Sequence, residues 1–135
     1  EALATRRLIE RRFPDPAQSL WLILGDLNEP DFPVMGQQRA TAPLETGFAI
    51  DLMQRLPETE RWTYYDPQSR LYHCPDALLA SPALAERWPN AEPFVVRMGL
   101  GEETSRFHGP RLGGVGEHRP HASDHAAVAV DFKGL

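Results

Sequence analysis

The chain has little cysteine, little lysine and no long apolar segment. Its one cysteine, Cys74, excludes an internal disulfide and leaves the redox compartment open. No apolar run approaches the ~20 residues that span a bilayer, so we expect no membrane span. No secretory leader is visible, and the chain begins at Glu1 without a methionine. We therefore expect a piece of a longer protein, whose cellular location this sequence does not indicate.

Positive charge is also scarce. Nineteen acidic residues against fourteen basic ones give a net charge of −5. This balance excludes the broadly basic surface by which many proteins bind long nucleic acids. The 135 residues, 41% of them hydrophobic, suffice for one globular domain, which we expect to span residues 1–135.

Hydrophobic patterning predicts an α/β domain. Five successive apolar residues at 20–24 predict a strand buried on both faces. Ser81 and Pro82 predict a helix start, because serine caps a helix and proline suits its first turn. The other expected elements are helices at 1–13 and 47–56, strands at 62–65, 77–80, 94–96 and 126–132, a turn at 66–69, and loops at 30–46 and 99–120.

Polar residues directly follow the first predicted strand, in the order Gly25-Asp26-Leu27-Asn28. Asp26 and Asn28 are two residues apart, so in an extended segment they point to the same side. A carboxylate and an amide directed at one spot can accept a proton and stabilise an oxyanion. Open α/β sheets also place ligand groups at such strand ends.

A second polar cluster, Ser123-Asp124-His125, precedes the last predicted strand. Neighbouring side chains diverge in a strand, so Asp124 and His125 are expected to serve two adjacent subsites. Either tripeptide alone is typical of turns and caps. Their joint occurrence, with an aspartate-bearing strand at Asp76 between them, favours a functional site.

In this order the motifs resemble the carboxyl-terminal half of the endonuclease/exonuclease/phosphatase superfamily. That group includes pancreatic-type deoxyribonucleases, apurinic-site endonucleases, neutral sphingomyelinases and inositol-polyphosphate phosphatases. The resemblance runs over nearly the whole chain and is specific at the level of the superfamily. The segments that carry it are Leu22–Asn28, Trp62–Tyr65, Asp76–Ser81 and Ser123–Val128.

The resemblance implies a role for each of five residues. Asp26 would orient or deprotonate the attacking water, and Asn28 would donate a hydrogen bond to the phosphate. His125 would contact a phosphate oxygen, and Asp76 would hold that histidine in its tautomer and charge state. Asp124 would lie near the divalent metal, Mg²⁺ or alternatively Mn²⁺. The implied activity is metal-dependent hydrolysis of a phosphate ester, by a phosphodiesterase, nuclease or phosphatase.

The resemblance also implies an architecture and a partner. The chain would form half of a four-layer α/β/β/α sandwich, as one mixed sheet with flanking helices and an exposed apolar inner face. The amino-terminal half, which supplies an early Asn, the main metal-binding Glu and a further His, has no counterpart here. We therefore expect an isolated chain that is inactive, completed by that half in a second chain or a longer parent. A homodimer is the alternative.

A second hypothesis is a non-catalytic binding or scaffold module that keeps the fold. It is favoured by His73-Cys74-Pro75-Asp76, which departs from the family's Arg-Ile-Asp-Tyr pattern. Pro75 there predicts an edge or the start of a strand. The substrate stays open between nucleic acid, lipid and small phosphate esters, although the acidic net charge favours the last two.

Several other polar and aromatic residues have simple structural interpretations. Cys74 is expected to be a buried small residue. The histidines have spacings that fit no compact zinc template, so exposed loop positions are expected for them. Loop arginines are expected to be solvated rather than phosphate-bound, and aromatic residues to pack between layers rather than stack on bases. The histidines concerned are His108, His118 and His121, which lie in the same glycine-rich region as His125. The arginines are Arg106, Arg111 and Arg119, and the aromatic residues are Trp62, Tyr64 and Tyr65.

Overall fold

The computed structural model describes residues 1–29, 39–117 and 121–135. It is a mixed helix and strand protein with three small antiparallel sheets, which confirms the general α/β class. The helices are α1 (Ala2–Arg12), α2 (Ala42–Glu45) and α3 (Pro82–Arg87), with short 3₁₀ helices at Leu52–Arg55 and Glu58–Glu60. The strands are β1 (Leu22–Asp26), β2 (Ile50–Asp51), β3 (Tyr64–Asp66), β4 (Leu71–His73), β5 (Asp76–Ala80), β6 (Pro93–Val96) and β7 (Ala127–Val130).

The largest sheet has three strands in the order β1–β5–β2. β5 lies in the middle, and its residues Leu78, Leu79 and Ala80 are buried. β1 runs antiparallel to it, in a register that pairs Asp26 with Asp76. The sheet therefore places two carboxylates side by side, at the carboxyl end of β1 and the amino end of β5.

Two apolar clusters cover this sheet. One packs α1 and the segment around α2 against it, and the other packs the first 3₁₀ helix, α3 and the β6–β7 pair. Stacking of the Trp21 and Phe48 rings at 5.1 Å adds to the first cluster. The fully buried residues of these clusters hold β5 rigidly, and with it the backbone of Asp76.

The β3–β4 hairpin connects the sheet to the last strand. Tyr64 pairs with His73 of β4 on one side and bridges to His125 on the other. The main-chain N–H of Ala126 donates to the carbonyl of Thr63 at 2.6 Å. The segment that leads into β7 is therefore fixed against β3, which brings His125 to the end of the three-stranded sheet.

Several predicted elements are confirmed. α1 spans most of residues 1–13, and strands lie at each predicted strand position. Ser81 caps α3 by accepting the N–H of Leu84 at 3.1 Å, and Pro82 is the first residue of that helix. β5 begins at Asp76, directly after Pro75, in agreement with the prediction that this proline marks the start of a strand.

Other predictions need correction. The expected single mixed sheet is wrong for the described residues, because their strands pair antiparallel in three separate sheets. β1 is not buried on both faces: it is an edge strand, and Leu24 is 65% exposed. The expected exposed inner face is also not observed, since the apolar side chains of β5 are covered on both sides.

The helix expected at 47–56 is β2 followed by a 3₁₀ helix. The Asp51 carboxylate explains the change, because it accepts the N–H of Met53 at 2.9 Å and so starts the tighter helix at Leu52. Residues 30–38 of the loop expected at 30–46 lie outside the described residues. The described remainder of that range contains the short helix α2 in place of a continuous loop.

No helix in the described parts of the chain is long and apolar enough to cross a membrane.

Candidate active site

Asp26, Asp76 and His125 come together where β1, β5 and the start of the last strand meet. The His125 Nδ1 atom lies 2.9 Å from Asp76 Oδ2, which is a hydrogen bond. On the other side of the ring, His125 Nε2 lies 3.8 Å from Asp26 Oδ2. The imidazole therefore stands between two carboxylates, bonded to one and facing the other across a short gap.

A turn at the end of β1 fixes Asp26. Its Oδ1 atom accepts the main-chain N–H of Asn28 at 2.8 Å. Asn28 has φ +51°, a left-handed conformation that asparagine tolerates better than most residues. Because Oδ1 is held by the turn, Oδ2 is the oxygen that faces His125.

The Asp76 carboxylate is held by a threonine as well as by the histidine. Thr63 is fully buried, and its Oγ1 donates to Asp76 Oδ2 at 2.5 Å. A carboxylate oxygen accepts both bonds, so the proton of the His125 bond lies on Nδ1. This fixes the imidazole orientation and directs Nε2 to Asp26.

Tyr64 forms one wall of the site. Its ring centroid lies 4.7 Å from that of His125, at an interplanar angle of 37°. Sequence reasoning missed the roles of Thr63 and Tyr64 at the site, although it included both in the matched segment Trp62–Tyr65. The signal that could have identified them is the alternation of side chains along a strand. If residues 62–65 form a strand beside His125, side chains of that strand have to contact the imidazole or its partners.

The two remaining predicted site residues do not join the cluster. Asn28 is exposed, and the left-handed turn ends the extended geometry on which the shared direction of Asp26 and Asn28 was predicted. Asp124 is half-buried, and its main-chain carbonyl accepts the N–H of Tyr65 at 3.4 Å. Within the described residues the Asp124 carboxylate has no hydrogen bond or ion pair, as expected if it diverges from His125.

A metal ion is not accommodated by these side chains alone. The described residues contain no group of three or more histidine, cysteine, aspartate or glutamate side chains arranged to hold one. Asp124 supplies one half-buried carboxylate, whereas Mg²⁺ takes several oxygen ligands in near-octahedral geometry. The donor set of the described residues therefore does not fit a complete Mg²⁺ or Mn²⁺ site.

A cleft of about 760 Å³ opens beside Asp76. Its lining includes His73 and Arg106 on one side and the carboxylates of Glu29, Asp51 and Glu58 on the other, whereas Asp26 and His125 do not line it. Ligand sites commonly have this size and combine apolar walls with a few polar groups. We call it the site cleft.

The structure also places the other singled-out residues. The Arg111 guanidinium donates to the main-chain carbonyls of Leu100 and Gly101, which makes it a structural residue of its loop. His108 and His121 are exposed, as expected for loop histidines, and the Sγ of half-buried Cys74 donates to the Asp76 carbonyl at 3.6 Å. Tyr65 is buried and packs on Tyr72. His118 and Arg119 lie outside the described residues.

Comparisons with known proteins give no relative: the chain matches no protein-family model, no curated protein and no solved structure. Inference about its chemistry therefore depends on the geometry around Asp26, Asp76 and His125.

Proposed function

We propose that this chain supplies the carboxyl-terminal half of a phosphoesterase active site of the endonuclease/exonuclease/phosphatase type. The observation that supports the proposal is the ordered series Asp26, His125 and Asp76, with separations of 3.8 and 2.9 Å. Packing alone does not require two carboxylates and an imidazole at the end of a sheet. A hydrolase uses such a set to move a proton and to contact a phosphate oxygen.

The gap between His125 and Asp26 suggests how the groups act. At 3.8 Å the two atoms are too far apart for a direct hydrogen bond, and an oxygen atom beside them can contact both. In the proposed reaction a water oxygen attacks phosphorus, and its proton goes to Asp26. Because Nδ1 keeps its proton for Asp76, this step requires the imidazolium form of His125, which donates from Nε2 to a phosphate oxygen while Asp76 and Thr63 hold the ring in place. The bond from phosphorus to the leaving oxygen then breaks.

A divalent metal would supply charge neutralisation for the leaving oxygen in such a reaction. Asp124 is the residue of this chain that we expect near it, with Mg²⁺ preferred and Mn²⁺ an alternative. The remaining ligands would come from the amino-terminal half, because the described residues contain no complete metal site.

Turnover by the completed protein tests the proposal. We expect the longer parent, or the chain mixed with its amino-terminal half, to hydrolyse bis(p-nitrophenyl) phosphate in the presence of Mg²⁺. His125→Ala should lower the rate by roughly 10²- to 10⁴-fold, the usual contribution of a proton-transferring side chain. His108→Ala is the matched control, because His108 is an exposed loop histidine. Activity that His125→Ala leaves intact would contradict the proposal.

The partner half is proposed to dock along β1. Among the described strands β1 is an edge of its sheet, and Leu24 on it is 65% exposed. An open edge with an exposed leucine is suited to pairing with another chain. The expected half-sandwich architecture is a separate part of this proposal, because pairing along β1 extends one sheet, whereas a four-layer sandwich packs two sheets face to face.

A charge at Leu24 tests this docking. We expect Leu24→Lys to leave the unfolding midpoint of the isolated chain nearly unchanged and to prevent recovery of activity on mixing with the other half. Leu8→Lys is the control, because Leu8 is 62% exposed and lies on α1 instead. Equal recovery with both variants would place the partner elsewhere.

A non-catalytic binding module is the second candidate. It is favoured by the turn at Asp26, because the Asn28 N–H bond gives this aspartate a purely structural use. The two candidates differ in their response to metal. A phosphoesterase parent should melt at a higher temperature with Mg²⁺ or Mn²⁺, whereas a scaffold should not respond.

A further inference from the structure

A second cavity adjoins the site cleft. It has a volume of about 520 Å³ and shares three residues with that cleft: Thr59, Trp62 and Arg106. We call it the arginine–tryptophan cavity. The residues that line it are Thr59, Glu60, Trp62, Arg97, Arg106 and Phe107.

Trp62 brings a donor without an acceptor to this cavity. The indole N–H groups of Trp21 and Trp88 donate to the carbonyls of Pro16 and Lys133, at 2.7 and 2.9 Å. In contrast, the Trp62 indole N–H has no acceptor among the described residues, although Trp62 is only 7% exposed. The Trp62 nitrogen is not among the buried unpaired atoms of the described residues, so it is accessible, and an acceptor bound in the cavity can reach it.

Arg97 adds a second such donor. Its side chain is nine-tenths buried, and Nη2 donates to the carbonyls of Glu60 and Trp62 at 2.6 and 2.9 Å. Its Nε is buried and has no partner in the described part of the chain. Burial lowers the pKa of Arg97, and the Glu60 carboxylate, 3.6 Å from Nη1, opposes that shift. The guanidinium also lies 4.1 Å from the centroid of the Trp62 ring, so the group of Arg97 that is left without a partner is Nε, and an anion in the cavity would be attracted by the desolvated cation.

Arg106 lies where the two cavities meet. Its main-chain N–H donates to the Tyr72 hydroxyl at 3.1 Å, which fixes its backbone. Its guanidinium lies 4.4 Å from the centroid of the Tyr72 ring and makes no hydrogen bond or ion pair with any described residue. An exposed, backbone-anchored arginine can bind a planar or tetrahedral anion through two donors at once.

We propose that the arginine–tryptophan cavity is a second anion subsite, which takes a phosphoryl group neighbouring the one that is hydrolysed. The substrate is then a small phosphate ester that carries at least two phosphoryl groups. This inference rests on the proposed phosphoesterase function. The subsite connects with the site cleft, which Asp76 lines, through the three residues that the two cavities share. The net charge of −5 favours a small polyphosphorylated molecule over a long polyanion.

Binding to the intact chain without metal tests the subsite independently of turnover. The probes are orthophosphate, pyrophosphate and tripolyphosphate, measured by calorimetry and by the three indole N–H signals in NMR spectra. We expect tighter binding along that series, with a shift of the Trp62 signal and little change at Trp21 and Trp88. Trp62→Phe assigns the signal, since it removes one indole N–H and keeps an aromatic ring.

Arg106→Gln should weaken tripolyphosphate binding about tenfold, the loss expected for one charge-assisted contact. Arg12→Gln is the matched control, because Arg12 is also exposed and lies over an aromatic ring, Phe13, outside both cavities. Trp62→Phe should weaken binding too, through loss of the N–H.

An unshifted Trp62 signal, or equal weakening by Arg106→Gln and Arg12→Gln, would overturn the subsite. Tighter Arg106-dependent binding of a short oligothymidylate than of tripolyphosphate would overturn the assignment to small molecules. Neither result bears on hydrolysis, which the His125→Ala experiment tests separately.

Discussion

Asp26 and Asp66 occupy nearly the same local structure. Each is the last residue of a strand, and each accepts with Oδ1 the main-chain N–H two residues ahead, from Asn28 at 2.8 Å and from Gln68 at 3.0 Å. A left-handed residue that is not glycine follows each of them: Asn28 at φ +51°, and Arg70 at φ +60°. Local turn chemistry alone therefore does not distinguish the two aspartates.

The second carboxylate oxygen separates them. In Asp66 it accepts from the Ser69 hydroxyl at 2.5 Å and from the Ser69 N–H at 3.3 Å, so both oxygens are used within the turn. These bonds from Ser69 and Gln68 lower the pKa of Asp66. In Asp26 the corresponding oxygen faces His125 instead. An aspartate becomes a candidate catalytic group when its turn leaves one oxygen for a residue distant in sequence.

The largest expected effect comes from removing the charge of each aspartate in turn. Asp26→Asn keeps the turn acceptor but removes the proposed base, so hydrolysis by the completed protein should fall by about 100-fold or more. Asp66→Asn should leave the rate unchanged. Steady-state kinetics on the two variants checks this contrast. Equal losses would mean that both aspartates serve only the fold.

A smaller effect is expected at Thr63, which helps to hold the imidazole that Asp26 faces. Thr63→Val keeps the volume and removes the hydroxyl, which should lower the free energy of unfolding by about 1–3 kcal/mol. Urea unfolding of the isolated chain measures this change. Thr63→Ser, which retains the hydroxyl, should recover most of the stability.

Thr63→Val should also lower kcat more than it raises KM, because His125 would lose its fixed orientation. A kcat that matches wild type, despite lower stability, would limit Thr63 to a structural role.

The smallest effect is the acid response of Asp66. Its folded pKa lies below the ordinary value of 3.8, so its contribution to stability is present above that value. The contribution is lost as pH falls through the folded pKa, because the carboxyl group then protonates in both states. Asp66→Asn should melt slightly below wild type at neutral pH and at the same temperature in strong acid. A difference that persists in strong acid would contradict this assignment.

Much of the local structure is predictable from residue types. Ser81 and Pro82 start α3 because a hydroxyl acceptor and a fixed φ suit a helix start wherever they occur. Pro75 marks the start of β5 because it cannot donate to a ladder. The order of the motifs also singled out Asp26, Asp76 and His125, which the structure brings together.

Other features depend on contacts with residues distant in sequence, which local sequence patterns do not predict. The apolar run of β1 predicts burial, yet its position at the edge of the sheet leaves Leu24 exposed. Residues 47–56 have the apolar content of a helix, but pairing of Ile50 with Ala80 draws their first part into the sheet. Thr63 was not predicted at the site because its role requires the register between β3 and β4.

The sequence by itself determined where α3 and β5 begin, which turns aspartates stabilise, and that no internal disulfide forms, because these follow from each residue's own geometry and chemistry. Tertiary structure alone decided which aspartate faces His125, which hydroxyl supports Asp76 and where donors are left without acceptors. Those properties are distances between residues far apart in the chain, and only strand pairing and packing set such distances.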